Sequence, residues 1–289
     1  MNIIIFKRNI VFPVKKAAAS VLAAVMLLSL CSCGIGRVER SSGEPQSAEE
    51  TTSNIVRVTF PEGFTVADMA ARLENNGVCS AADFMNEVNN TEYLAEFGIE
   101  IEEPAERSFL LEGYLFPDTY DFYRNENVSS VVKKFLRNFN SLITDEMRAK
   151  AKDLGYTTDE IITIASIIQE EAGVVNEMAK VSSVLHNRLS SSSFPKLQCD
   201  ACSFYLRNSV KPYVDEAKYE QLLQTYSTYN CYGLPEGPIA NPGIDAVKAA
   251  LYPEDTDYYF FVTDDNGVYY YAETFEEHQK NCSIAGIDT

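Results

Sequence analysis

Glu170 and Glu171 close the most apolar run outside the N-terminus, Ile161-Ile-Thr-Ile-Ala-Ser-Ile-Ile-Gln-Glu-Glu-Ala172, which is followed by Gly173. At about 100° per residue the run reads as a helix. Ile164, Ile168 and Val175 then fall in one narrow arc, with Ile167 beside them. Glu171 lies inside that arc, three residues after Ile168 and four after Ile167. Glu170 points about a quarter-turn away and Gln169 faces nearly the opposite side. The spacing therefore predicts one carboxyl on the buried stripe and one off it. Burial disfavours the charged form of a carboxyl, and an acid that keeps its proton near neutral pH suits general acid catalysis. The competing reading is a helix end reaching solvent, since glutamates lie mostly outside.

The other chemistry-bearing residues are few. Two histidines, His186 and His278, make a multi-histidine metal site improbable, and no metal or other cofactor is expected. Of seven cysteines, Cys31 and Cys33 belong to the leader; Cys79, Cys199, Cys202, Cys231 and Cys282 remain. Cys199-Asp-Ala-Cys202 has redox or zinc-like spacing, but no second pair completes a zinc site and no βαβ pattern surrounds it. It reads equally as two small residues in a loop. The net charge of −18 argues against a nucleic-acid partner. With 46% apolar residues, 16 Phe and 17 Tyr, the chain can fill a core.

Residues 1–36 read as a signal or anchor segment: Lys7, Arg8, Lys15 and Lys16 precede an uncharged run from Ala17 to Gly36. Leu30-Cys31-Ser32-Cys33 is similar to a bacterial lipobox ending at Cys33, with Cys31 off-pattern. An uncleaved membrane span is the alternative, and the basic flank puts the rest of the chain outside under either reading. Residues 37–54, rich in Ser, Glu and Thr, read as a flexible tether.

Ile55 to Phe60 alternates as a strand; Thr65 and Ser80 are placed to cap helices over Val66 to Asn75 and Ala81 to Val88. This strand–helix–helix module shows no catalytic signature. The aromatic, acidic segment Leu111 to Tyr123 fits a core strand with a turn, or a groove wall. Helices are expected over Val128 to Leu142 and Thr144 to Leu154, and Thr157 or Thr158 caps the Ile-rich helix. Met178 to Leu189, Glu216 to Tyr226 and Ile244 to Leu251 are helical, and Ser190 to Ser193 is a surface loop. Tyr226 to Gly243, with three Pro and three Gly, is too long for a simple connection, and long ordered loops tend to be functional. Asp264-Asp-Asn-Gly267 between two aromatic runs signals a β-hairpin, and Glu273 to Lys280 closes the chain as a helix.

Several of these segments together resemble the YceG-like family of endolytic murein transglycosylases. They are Glu112-Gly-Tyr-Leu-Phe-Pro-Asp-Thr-Tyr120, Ala165-Ser-Ile-Ile-Gln-Glu-Glu-Ala172, Val184-Leu-His-Asn-Arg-Leu189, Leu197-Gln-Cys-Asp200 and Tyr229 to Gly243, with Gly-Leu-Pro-Glu-Gly-Pro-Ile-Ala-Asn-Pro-Gly as its core. Val247-Lys-Ala-Ala-Leu-Tyr-Pro253 and Tyr259-Phe-Phe-Val262 continue the likeness. The resemblance implies an α+β fold: a small LysM-like module over residues 55–100, then a mainly helical catalytic domain over 101–289 with a short antiparallel β element. It implies an enzyme on the extracytoplasmic face of the cell membrane, lipid-anchored or single-pass. That enzyme cuts nascent peptidoglycan between N-acetylmuramic acid and N-acetylglucosamine, with glycan strands as substrate and peptidoglycan synthases as partners.

The resemblance places the catalytic acid at Glu171. Gln169 departs from the motif, where the family usually has Glu, and is expected to be a lost surface or supporting charge; Cys199 stands where a small hydroxyl residue is common. Gln198, Tyr229 and Asn230 are candidates for substrate binding, with Glu112 near the rim; core or loop-bracing roles compete for each. Asn187 and Arg188 are expected to brace the neighbouring helix. Two other functions stay open: a non-catalytic wall-binding lipoprotein, and a hydrolytic muramidase pairing Glu171 with Glu112 or Asp200.

Overall fold

The computed structural model describes residues 54–102 and 106–287. The expectations for Cys33, for the signal or anchor segment and for all but the last residue of the tether lie outside the described residues. Among the described residues, no helix is long and apolar enough to cross a membrane.

β1 (Ile55–Thr59) leads to α1 (Val66–Asn75), where Thr65 and Asp68 form the capping box that fixes the helix start. α2 (Ala81–Glu87) is capped by Ser80, and a short α3 (Glu92–Phe97), which the sequence did not announce, ends at Gly98 in a left-handed conformation. β2 (Thr119–Tyr123) pairs antiparallel with β1, Ile55 opposite Tyr123 and Thr59 opposite Thr119. The segment from Leu111 to Tyr123 is thus core for its first half and strand for its second: Leu111, Tyr114, Leu115 and Phe116 are buried.

α4 (Val128–Leu142) turns Val131, Val132, Phe135, Leu136 and Phe139 onto one buried face. The rings of Phe60, Tyr120 and Phe122 meet Phe135 there. α5 (Asp145–Asp153) follows. α6 (Thr158–Glu171) starts from a capping box of Thr157 and Glu160. Ile161 to Ile168 are buried without exception, so α6 is a central helix covered all round rather than one with a single apolar stripe.

α6 stops at Glu171, because Ala172 leaves the helical conformation. Val175 therefore does not continue the α6 stripe: it opens α7 (Val175–Leu189) and is 54% exposed. α8 (Asp200–Tyr205) occupies the Cys-Asp-Ala-Cys segment, which is a cap and helical turn, not a loop. A π turn (Leu206–Val210) and a single 3₁₀ turn (Lys211–Tyr213) connect it to α9 (Glu216–Tyr226). The Pro- and Gly-rich loop then runs to α10 (Ile244–Leu251), which packs chiefly on α6 and α7. β3 (Phe260–Thr263) and β4 (Tyr269–Ala272) form the expected hairpin, and α11 (Phe275–Ile284) starts two residues later than expected, capped by Thr274.

The architecture is mainly helical with two short antiparallel β pairs, in keeping with an α+β class. One apolar cluster runs from Val58 through α1, α4, α6 and α7 to Phe261.

Candidate active site

Glu171 sits on the last turn of α6 and is 6% exposed. Its Oε1 accepts from the Ala201 backbone N–H in the first turn of α8, at 3.3 Å. Burial, and next the Glu171 charge, raise the thiol pKa values of Cys199 and Cys202. The two thiols are buried and free, and a raised pKa leaves little thiolate to react. Burial, the hydrogen bond to Asp200 and nearby charges including Glu171 likewise raise the Tyr229 hydroxyl. Tyr229 donates to Asp200 Oδ1 at 2.8 Å. Glu171, Cys199, Asp200, Ala201, Cys202 and Tyr229 therefore share one neighbourhood.

The turn after Glu171 is held from outside the helix. The Tyr269 hydroxyl of β4 accepts from Gly173 N–H at 2.6 Å and donates to the Glu171 carbonyl at 3.3 Å. A helix end leaves its last carbonyls without partners, and Tyr269 supplies one. The hairpin signal was readable in the sequence, but nothing there linked its tyrosine to a turn 96 residues away.

Gln198 adopts φ +58°, an uncommon conformation for a residue with a Cβ, and donates its backbone N–H to Thr228 O at 3.1 Å. Its side-chain oxygen accepts from Arg188 Nη2 at 2.6 Å. The buried Arg188 also donates to Lys196 O and Tyr259 O, and its guanidinium lies against Phe194 and Phe260. Asn187 donates to Thr256 O and Tyr258 O. Both side chains thus brace the strand approach and the Lys196–Gln198 turn, not a neighbouring helix. Asn230 is exposed, and its amide donates to Leu223 O at 3.0 Å, closing the end of α9.

Glu112 is not at a rim: it is 0% exposed. It accepts Val66 N–H at 3.0 and 3.1 Å, the Asn241 amide at 2.9 Å and the Tyr205 hydroxyl at 3.1 Å. Each of these partners donates, so the carboxyl acts as a buried knot between α1, α8 and the Pro/Gly loop. Burial outweighs these bonds and pushes its pKa up to about 8. Asn241, which spacing did not single out, extends the knot. It accepts from Gly113 N–H and Leu115 N–H at 3.0 and 2.9 Å and donates to Phe64 O at 2.9 Å. Gly113 has φ +89°, and a Cβ there would lie 2.5 Å from Pro238.

The Pro/Gly loop runs along α6. Ile239 N–H donates to Ser166 Oγ and Gly243 N–H to Gln169 Oε1, each at 3.0 Å. Gln169 is therefore half-buried and tied to the loop end, a supporting and not a surface placement. Among the described residues, no cluster of His, Cys, Asp and Glu is grouped to hold a metal ion.

The sequence profile of the YceG-like family matches residues 39–283. The chain is 28% identical over 239 residues to the endolytic murein transglycosylase of Bacillus subtilis (strain 168), covering 79% of this chain and 65% of that protein. It is 25% identical over 247 residues to the endolytic murein transglycosylase of Streptococcus pneumoniae serotype 2, covering 78% of this chain and 44% of that one. The chain thus spans less than two thirds of the length of these curated relatives. The crystal structure of a YceG-like protein from Listeria monocytogenes superposes with a TM-score of 0.65 at 27% identity, over 78% of this chain and 74% of that one.

Proposed function

This chain belongs to the YceG-like family, and on that premise we propose that it is an endolytic lytic transglycosylase. It cleaves the β-1,4 bond between N-acetylmuramic acid and N-acetylglucosamine in peptidoglycan glycan strands. The observation that carries this reading is the buried Glu171 carboxyl beside the Ala201 N–H, where α6, α8 and the Pro/Gly loop meet.

Glu171 in its acid form gives its proton to the leaving glycosidic oxygen as the C1–O4 bond breaks. The muramic C6 hydroxyl then bonds to C1 and returns its proton to Glu171, closing a 1,6-anhydro ring. The nucleophile comes from the substrate, so the second carboxylate that an ordinary glycosidase needs is dispensable. A positioned acid–base group contributes roughly 10²–10⁴-fold. Alignment of the strand and stabilisation of the positive charge at C1 supply the rest. Tyr229, held by Asp200, and Gln198, held by Arg188, are fixed enough to orient substrate. Asn230 belongs to the same loop at its exposed edge, and Glu112 supports that loop from beneath through Asn241.

Hydrolysis is the second reading, because Asp200 lies beside the residue that bonds Glu171. Glu112, fully enclosed, is a poor second carboxylate. Residues 55–100 are proposed as a LysM-like module and 101–289 as the catalytic domain. An N-terminal anchor, by Cys33 lipidation or an uncleaved span over residues 1–36, would hold the enzyme outside the cytoplasmic membrane within reach of peptidoglycan synthases. Digestion of purified glycan strands by the wild type and by Glu171→Gln tests the assignment. Anhydro-ended fragments from the wild type alone support it, and equal release by both defeats it.

A further inference from the structure

Tyr232 takes no part in the chemistry above, yet its ring is 73% exposed, the most exposed large apolar side chain among the described residues. Single apolar side chains at a surface need no explanation by themselves, so the setting of this one decides. Its backbone is fixed on both sides: Cys231 N–H donates to Ser227 O at 2.9 Å, and Gly233 N–H donates to Pro195 O at 3.0 Å. Gly233 also pairs with Lys196 in an isolated parallel bridge.

The ring is oriented as well. The Lys196 ammonium lies 5.0 Å from its centroid and donates to Tyr229 O at 2.9 Å. Tyr229 bonds Asp200, and the next residue, Ala201, bonds Glu171. A continuous series of contacts thus joins the candidate acid to an exposed ring that carries a cation on one side and is open to solvent over most of its surface.

We propose that Tyr232 is a stacking platform for one pyranose ring of the glycan strand, beside the point of scission. A pyranose has an apolar face of C–H groups that packs on an aromatic ring, while its hydroxyls stay in water. An aromatic ring with few rotatable bonds loses little freedom when it takes up such a partner. The occupant is a sugar and not the stem peptide, because the feature presented to solvent is a broad apolar ring. Lys196, tied to Tyr229 O, lies against the platform. This inference rests on the proposed function and names a subsite within it.

The test uses glycan strands stripped of their peptides, with Tyr232→Ala and Tyr232→Trp compared to the wild type. Steady-state kinetics and calorimetric binding are both read. Tyr232→Ala should raise KM and Kd roughly three- to tenfold, with a smaller change in kcat, as expected for lost binding away from the reacting atoms. Tyr232→Trp should restore most of that loss, since stacking needs a ring and not the hydroxyl. An unchanged KM and Kd in Tyr232→Ala, or a Trp variant as weak as the Ala variant, overturns the platform. If the wild type cuts no strand, the proposed function fails, and the binding isotherms still decide the platform on their own.

Discussion

Glu171 and Glu112 are both buried carboxyls, and their surroundings set them apart. Glu171 ends a helix beside exposed Gly173, whereas Glu112 is fully enclosed and accepts from Val66, Tyr205 and Asn241. Glu171→Gln keeps the shape and removes the transferable proton. Turnover should fall by at least roughly 10²-fold with the melting temperature nearly unchanged, measured by fragment release and thermal unfolding. Glu112 makes a prediction about pH. Its folded pKa, about 8, lies above its ordinary value of 4.5. The folded protein therefore holds a proton that the unfolded chain releases between those values. The associated stability is complete below pH 4.5, declines through the window and is gone above about pH 8, on the order of 5 kcal/mol in all. Urea unfolding across pH 5–8 should show that decline in the wild type, and Glu112→Gln should lessen it; an identical slope in both proteins counts against this role. The burial of Glu171 was legible in the sequence because its neighbours on α6 are three and four residues away. Glu112 was misplaced because its partners are 46, 93 and 129 residues distant, where local spacing carries no information.

At the scale of elements, the hairpin and the Pro/Gly loop hold the end of α6 from two sides. Tyr269→Phe deletes the hydroxyl that bonds Gly173 N–H and the Glu171 carbonyl. It should cost about 1–2 kcal/mol in unfolding and lower kcat more than it raises KM, since the strand still binds but the acid is less well placed. Gly113→Ala should be harsher. Its φ of +89° disfavours a side chain, and the new Cβ would meet Pro238 at 2.5 Å. A loss of about 2–4 kcal/mol is expected by denaturant titration, with the Pro/Gly loop displaced. Capped helices were readable because Thr65, Ser80 and Thr157 announce their starts, whereas Thr144 proved to be the cap of α5 and not its first residue. α8 was missed because six residues span less than two turns, too few to show a period. Val175 misled for a related reason: the arc on which it was placed assumes a helix that continues, and Ala172 ends it.

Across the whole molecule, the β1–β2 pair and the Glu112 knot tie the segment before residue 100 to the helices after it through backbone and side-chain bonds. The apolar cluster crosses the same boundary, so a cut near residue 100 would take Phe60 away from Phe122 and Phe135 and expose those two rings. Residues 101–289 expressed alone should accordingly be poorly soluble or unfolded by circular dichroism. Removing residues 1–36 should leave cleavage in solution intact while abolishing sedimentation with membranes. The α+β class came with the family resemblance and agrees with the capped helices and turn-bounded strands seen here, but the continuity of the core was not legible, because it arises from contacts between distant segments.

Under the proposed reaction, a single buried acid cuts the glycan without water entering the product. Mass spectrometry of fragments released from peptide-free glycan strands tests it most directly. Fragments ending in 1,6-anhydro muramic acid, each one water lighter than the hydrolytic product, are expected from the wild type, and none from Glu171→Gln. Fragments carrying the added water, with label taken up from heavy-oxygen water at the new reducing end, would contradict it.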